Sequence, residues 1–231
     1  GNLELAVRQY KRAHSIFTLL GNADKLSALD GNLGTILHEQ GKIKEAVQHF
    51  DRAIETAIEH KNDINQGVFL GNRAMCAIDM NKIHQARHDL EQAIEICDRH
   101  LEFAAGAFRG ELALLCVKQG EPDFAKSLLR KGEKQVKQHK EQYGKFLCRK
   151  SSVLYALHNK QEAKHSLRQA EQLCIDLQLR PSSSLQRLLN ETQREIPASI
   201  WLSEQEIVER LFIANIAFRW ARYEIMATQY P

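Results

Sequence analysis

Over most of the chain, apolar residues recur at steps of three and four with polar residues between them, the spacing that gives a helix one dry face and one wet one. The segment GKIKEAVQHFDRAIETA, starting at Gly41, has this pattern, and NKIHQARHDLEQAIEIC repeats it from Asn81. Alanine holds the same two places in both stretches while the residues around it change. Along the whole chain Ala6, Ala46, Ala86, Ala125 and Ala163 recur at a nearly constant step, which shortens slightly toward the C-terminus. Seven residues after each comes a second small residue: Ala13, Ala53, Ala93, Gly132 and Ala170. Between them, four after the first, stands a larger side chain: Tyr10, Phe50, Leu90, Leu129 and Leu167. Steps of four and three place the trio on one helical face, so that small residues admit a neighbouring backbone and the large one fills the gap beside it. The alanines are helix–helix contact points.

A second helix is expected before each of these, over residues 24–40, 64–80, 103–119 and 143–158. Small residues again stand at a fixed place, twelve before the first alanine: Gly34, Ala74, Ala113 and Ser151. The joints EQGK, DMNK, KQGE and LHNK carry Gly41, Asn81, Gly120 and Asn159, residue types that take the left-handed conformation closing a helix. Each unit is then an antiparallel helical hairpin. One hairpin cannot bury its apolar face, so neighbours must stack into an array.

The pattern resembles the tetratricopeptide repeat, whose small and large positions match Gly34, Ala46, Phe50 and Ala53 and their equivalents in the other units. The resemblance covers residues 1–179. The step, about forty, is longer than the family's usual one, and the proline that commonly closes a unit is missing. Both features mark a longer-helix subgroup that includes the Pins/LGN-like proteins, the kinesin light chains and the bacterial Rap-like regulators. Gly132 and Ser151 match the pattern less well than their counterparts. The resemblance implies an all-α, right-handed superhelix of helical hairpins, an α-solenoid, closed by a C-terminal capping helix. Because Gly1-Asn2-Leu3 aligns with Gly41-Lys42-Ile43, the first unit is expected to lack its first helix and to belong to an array that extends upstream.

Residues 180–231 read as a helical cap or docking segment. After RPSSS a short helix is expected to run to about Glu195, and IPASIW breaks it. Ser203 and Glu206 then form a capping box, with Leu202 and Ile207 placed as a hydrophobic staple, so a last helix is expected to about Ala227. On that helix Phe212, Ile213, Ile216 and Trp220 form a second apolar surface beside the stripe that would seat it on the array. Two roles stay open for it: a buried wedge, or a surface for a partner or for a second copy of the chain.

Composition narrows the classes. Of 231 residues, 43% are hydrophobic and 26% charged, which suits a folded chain, and four prolines leave room for long helices. No apolar run reaches the roughly 20 residues of a membrane span, and no leader peptide opens the sequence, so a cytoplasmic protein without membrane association is expected. Five cysteines are scattered without a paired motif, which favours reduced thiols in packing positions over a disulfide framework or a zinc site. Between Lys118 and Arg168 there are 13 Lys and Arg against 5 Asp and Glu. The basic residues are spread around their helices with few aromatics among them, which reads as a solvated face rather than a nucleic-acid module.

Catalytic patterns do not emerge: no phosphate-binding loop, no strand pattern to hold a nucleophile elbow or dinucleotide fold, and no cofactor motif. His84 and His88 are four apart on one helix, without an evident third metal ligand. The expectation is a non-enzymatic interaction scaffold. The family resemblance further implies a concave groove lined by the first helices, in which an asparagine often bonds the partner's peptide backbone. Asn32 and Asn72 occupy that place here, where later units carry Glu111 and Arg149. An amide suits it because it donates and accepts at once. By helical spacing Thr35, Met75, Asp79 and Arg109 should share the groove. The two asparagines could instead satisfy local backbone. The alternative function is a sensor or regulatory segment of a larger signalling enzyme or transcription regulator.

Overall fold

The computed structural model describes residues 3–202 together with 205, 206, 212 and 213. Among these there is no strand, and the chain runs through α1 (Leu3–Leu19), α2 (Ala23–Glu39), α3 (Ile43–Glu59), α4 (Asp63–Asp79), α5 (Ile83–His100), α6 (Glu102–Lys118), α7 (Pro122–Val136), α8 (Lys140–Ala156), α9 (Lys160–Asp176), α10 (Ser184–Glu195) and α11 (Ala198–Trp201). The pairs α2/α3, α4/α5, α6/α7 and α8/α9 form the hairpins, and α3 on α4 and α5 on α6 join one hairpin to the next. First helices also meet each other, most extensively α6 and α8. The result is an α-solenoid.

From the second unit on, the expected contact points lie at the centre of the packing, whereas Tyr10 and Ala13 of the first unit are half-buried. Ala46, Ala53, Ala86, Ala93, Ala125, Ala163 and Ala170 are all 0% exposed, and Phe50 only 1%. A Cβ added to Gly34 would sit 2.9 Å from the Phe50 ring, so the small residue of the first helix faces the large residue of the second. A second recurrence holds neighbouring first helices together. Phe69, Phe108 and Phe146, one in each of three successive units, press on Gly31, Gly71 and Gly110 of the preceding first helix. A Cβ on Gly31 would lie 2.0 Å from the Phe69 ring, one on Gly71 2.1 Å from Phe108, and one on Gly110 3.0 Å from Phe146. Each buried phenylalanine contributes about 1.5–3 kcal/mol, and glycine is what lets it seat.

The joints follow the expected chemistry with one shift. Gly41, Gly120 and Asn81 take positive φ at 75°, 80° and 58°. In the fourth joint the left-handed residue is His158, at φ 60°, rather than Asn159. Asn159 serves instead as the N-cap of α9, its side chain accepting a hydrogen bond from the Glu162 N–H at 3.3 Å. An asparagine can do either, and the break simply falls one residue earlier than read. Asn22 and Asn62 cap α2 and α4 in the same way.

Polar groups inside the array are tied to neighbours. Arg73 on α4 donates to Asp89 on α5 through two nitrogens at 2.8 Å and to Asp51 on α3 at 2.8 Å. Ser27 and Ser151 donate to the Ala53 and Ala163 carbonyls, each at 2.8 Å. All five cysteines are free and buried, and burial pushes the Cys76 thiol up to about 12 and Cys97 and Cys116 to about 11.

After α9 the chain continues as a further first helix. Helix α10 packs on α8 and α9, and Leu185 fills the space over Gly144, where a Cβ would come within 2.4 Å. Helix α11 rests on α9, with Leu202 buried beneath it. The greater part of the helix expected over 203–227, with Ile216 and Trp220, the Ser203 cap and Ile207, lies outside the described residues. Phe212 and Ile213 are 66% and 65% exposed.

Candidate functional site: the concave face of the first helices

Each first helix carries a residue immediately after its buried glycine or equivalent: Asn32 after Gly31, Asn72 after Gly71, Glu111 after Gly110 and Arg149 after Cys148. One residue along a helix is a turn of about 100°, so these four side chains turn away from the buried seam. Asn32 is exposed and Asn72 half-buried. Among the described residues neither amide has a hydrogen-bond partner, so both retain their donors and acceptor.

The other residues read into the groove divide. Met75 is half-buried and Asp79 exposed, three and seven residues after Asn72 on one stripe of α4. Asp79 Oδ2 lies 2.7 Å from His38 Nε2 of α2, a link between two neighbouring first helices. Thr35 is half-buried and its hydroxyl donates to the Gly31 carbonyl at 3.1 Å, within its own helix. Arg109 is 4% exposed and its guanidinium is committed inward, donating to Asp98 of α5 at 2.7 Å and Gln135 of α7 at 2.6 Å. The Arg109 hydrogen bonds, with Gln135 and Lys131 adding to them, hold the Asp98 carboxyl well below the usual carboxylate range. Arg109 thus sits two residues before Glu111 but serves the hairpin seam.

Met75 and Asp79 open onto a cavity of about 460 Å³ bounded by α4, α6, α8 and α10. Its apolar wall includes Met75, Ile78, Leu114 and Tyr155; Glu111 and Arg149 lie across it. Arg149 Nε donates to Glu111 at 2.8 Å. Burial opposes the Arg149 charge, but Glu111 outweighs it and keeps the guanidinium's pKa above its ordinary value. Glu191 and Glu195 of α10, with Ile196 just after it, form a further wall, and Arg187 reaches Glu39 at the end of α2 at 2.9 Å. The array therefore curls far enough for its second and tenth helices to touch. Sequence reasoning did not place α10 on this face. The signal was present, because Arg187 follows Arg149 by one more repeat step.

Among the described residues no group of three or more His, Cys, Asp or Glu is placed to hold a metal ion, and no helix is long and apolar enough to cross a membrane. His84 and His88 are both exposed.

Comparison with solved structures gives the same architecture. BtubC (BKLC) from P. vanneervenii is 16% identical, with a TM-score of 0.62 over 80% of each chain. Two Podosopora anserina structures of nearly identical TPR-like repeats, of kinesin-light-chain type, are 17% and 18% identical, with TM-scores of 0.56 and 0.54. They cover 77% and 78% of this chain, and 89% and 90% of those chains are matched. At such identities the likeness is one of fold. A comparison with curated proteins finds no match. The family model described as the MalT-like TPR region matches residues 1–213, past the end of α11. With hairpins of matched step, small residues at every crossing and that model spanning nearly the whole sequence, the chain belongs to the MalT-like tetratricopeptide-repeat family.

Proposed function

We propose that the chain is a non-catalytic scaffold that holds an extended or helical segment of a partner protein along the concave face of its first helices. The observation that carries this reading is the pair of unpartnered amides at Asn32 and Asn72, repeated at the same point of successive units and continuous along α4 with the cavity edge at Met75 and Asp79. A peptide backbone presents N–H and C=O groups at regular intervals, and amide side chains satisfy both. An isolated linear segment held in this way would bind at about micromolar affinity, near −8 kcal/mol. Asn32→Ala combined with Asn72→Ala should abolish capture of such a partner while leaving the array folded. Unchanged capture would remove the groove from the account.

A second reading makes the array a regulatory segment, in which a bound peptide or adjoining domain alters the superhelical pitch. The Glu39–Arg187 contact favours it, because a pair joining helices so distant in sequence forms only at one pitch. Disrupting it with Arg187→Glu should change the radius of gyration measured by solution scattering if pitch is adjustable. An unchanged radius would mark a rigid scaffold.

A further inference from the structure

We infer that the cavity between α4, α6, α8 and α10 selects a basic side chain, lysine or arginine, next to an apolar residue in the bound partner segment. The inference rests on the scaffold reading above and specifies what that site recognises. Four carboxylates, Asp79, Glu111, Glu191 and Glu195, line the cavity against two cations, Lys118 and Arg149. Glu111 and Arg149 neutralise one another at 2.8 Å, and Asp79 is engaged by His38. Glu191 and Glu195 remain, both exposed on the α10 wall; Glu195 adds to the field that keeps Arg149 charged, and Lys118 is the other cation of the lining, so carboxylates still outnumber cations. An arriving anion would meet an excess of negative charge, whereas an ammonium or guanidinium would meet carboxylates with capacity to accept.

An independent observation points to a ligand at the same place. Ser152 lines the cavity at 8% exposure, and its Oγ is the buried side-chain oxygen or nitrogen that lacks a hydrogen-bond partner among the described residues. A buried hydroxyl left unpaired costs about 1–3 kcal/mol, so folded proteins seldom keep one unless something else satisfies it. Serine accepts from a cationic N–H as readily as it donates to a carbonyl. The remaining wall fits the rest of such a segment. Met75, Ile78, Leu114 and Tyr155 would cover the methylene stem of a long basic side chain and the apolar residue beside it, and about 460 Å³ accommodates both. The occupant is a polypeptide rather than a free amine because Asn72, whose amide has no partner among the described residues, shares one stripe of α4 with the cavity residues Met75 and Asp79 and suits backbone.

The test is selection of phage-displayed random dodecapeptides on the full chain, followed by fluorescence titration of the synthesised winners. Winners should carry Lys or Arg beside an apolar residue, and replacing that basic residue by Gln should weaken binding about tenfold. The Glu191→Gln/Glu195→Gln protein should lose that discrimination while remaining folded, since both positions are exposed. Ser152→Ala should weaken binding several-fold without lowering thermal stability, because no hydrogen bond is lost. Winners that are acidic or uncharged, or basic winners indifferent to the Glu191/Glu195 variant, overturn the basic-residue specificity. The groove reading survives that result if those same winners depend on Asn32 and Asn72. Failure to enrich any peptide overturns both. A fall in stability for Ser152→Ala makes that hydroxyl structural and counts against the inference.

Discussion

The seam between first helices and the concave face beside it are one residue apart in sequence, yet they follow opposite rules. On the seam the repeats carry Gly31, Gly71 and Gly110, each beneath a phenylalanine of the next unit. On the adjacent inner face they carry Asn32, Asn72, Glu111 and Arg149, four residues of three chemistries. Backbone packing tolerates one solution and therefore repeats it; side chains turned away from the seam can differ at every rung. Recurrence within this single chain thus separates what holds the array together from what it offers.

Substitutions can sharpen the contrast, beginning with the largest effects. Phe50→Ala empties the contact beneath Gly34 and should cost about 3–5 kcal/mol in urea denaturation followed by helical circular dichroism. Asp98→Asn leaves the buried Arg109 guanidinium without its counter-charge and should cost about 3 kcal/mol near neutral pH. The native pKa of Asp98 is depressed, so its contribution is complete above the ordinary carboxylate pKa and fades as pH falls toward the native value. The acid limb of the stability profile should accordingly flatten in Asp98→Asn, and an unaltered limb would remove Asp98 from the seam. Gly71→Ala, with its Cβ 2.1 Å from the Phe108 ring, should cost about 1–3 kcal/mol by the same denaturation measurement. Asn72→Ala, one residue along, should change stability by less than about 0.5 kcal/mol. If Gly71→Ala and Asn72→Ala destabilise equally, the division between seam and face does not hold.

Much of the fold was legible because the alanines, Phe50 and the joint residues answer to local geometry, which repeats with the helical period. The glycine–phenylalanine seam is equally periodic but escapes a scan for small residues alone, since its two halves lie on different units, as Gly31 and Phe69 show. Side-chain reach was harder to read. Helical spacing places Arg109 near the groove, but a long guanidinium goes where its counter-charge is, and Asp98 and Gln135 come from the flanking second helices. The α10 wall was missed for a different reason: the short helix to Glu195 was legible after RPSSS, but the array was read as ending at residue 179, whereas Leu185 packs that helix on Gly144 as a further first helix.

The side-chain amides of Asn32 and Asn72 give separate signals in a proton–nitrogen correlation spectrum, so titration with a library-selected peptide reads the concave face directly. The account predicts that both NH2 pairs shift, together with backbone amides of α4, α6 and α8. If those pairs stay in place while amides of α3, α5 and α7 move, binding occurs on the second helices, and the concave face is not the site.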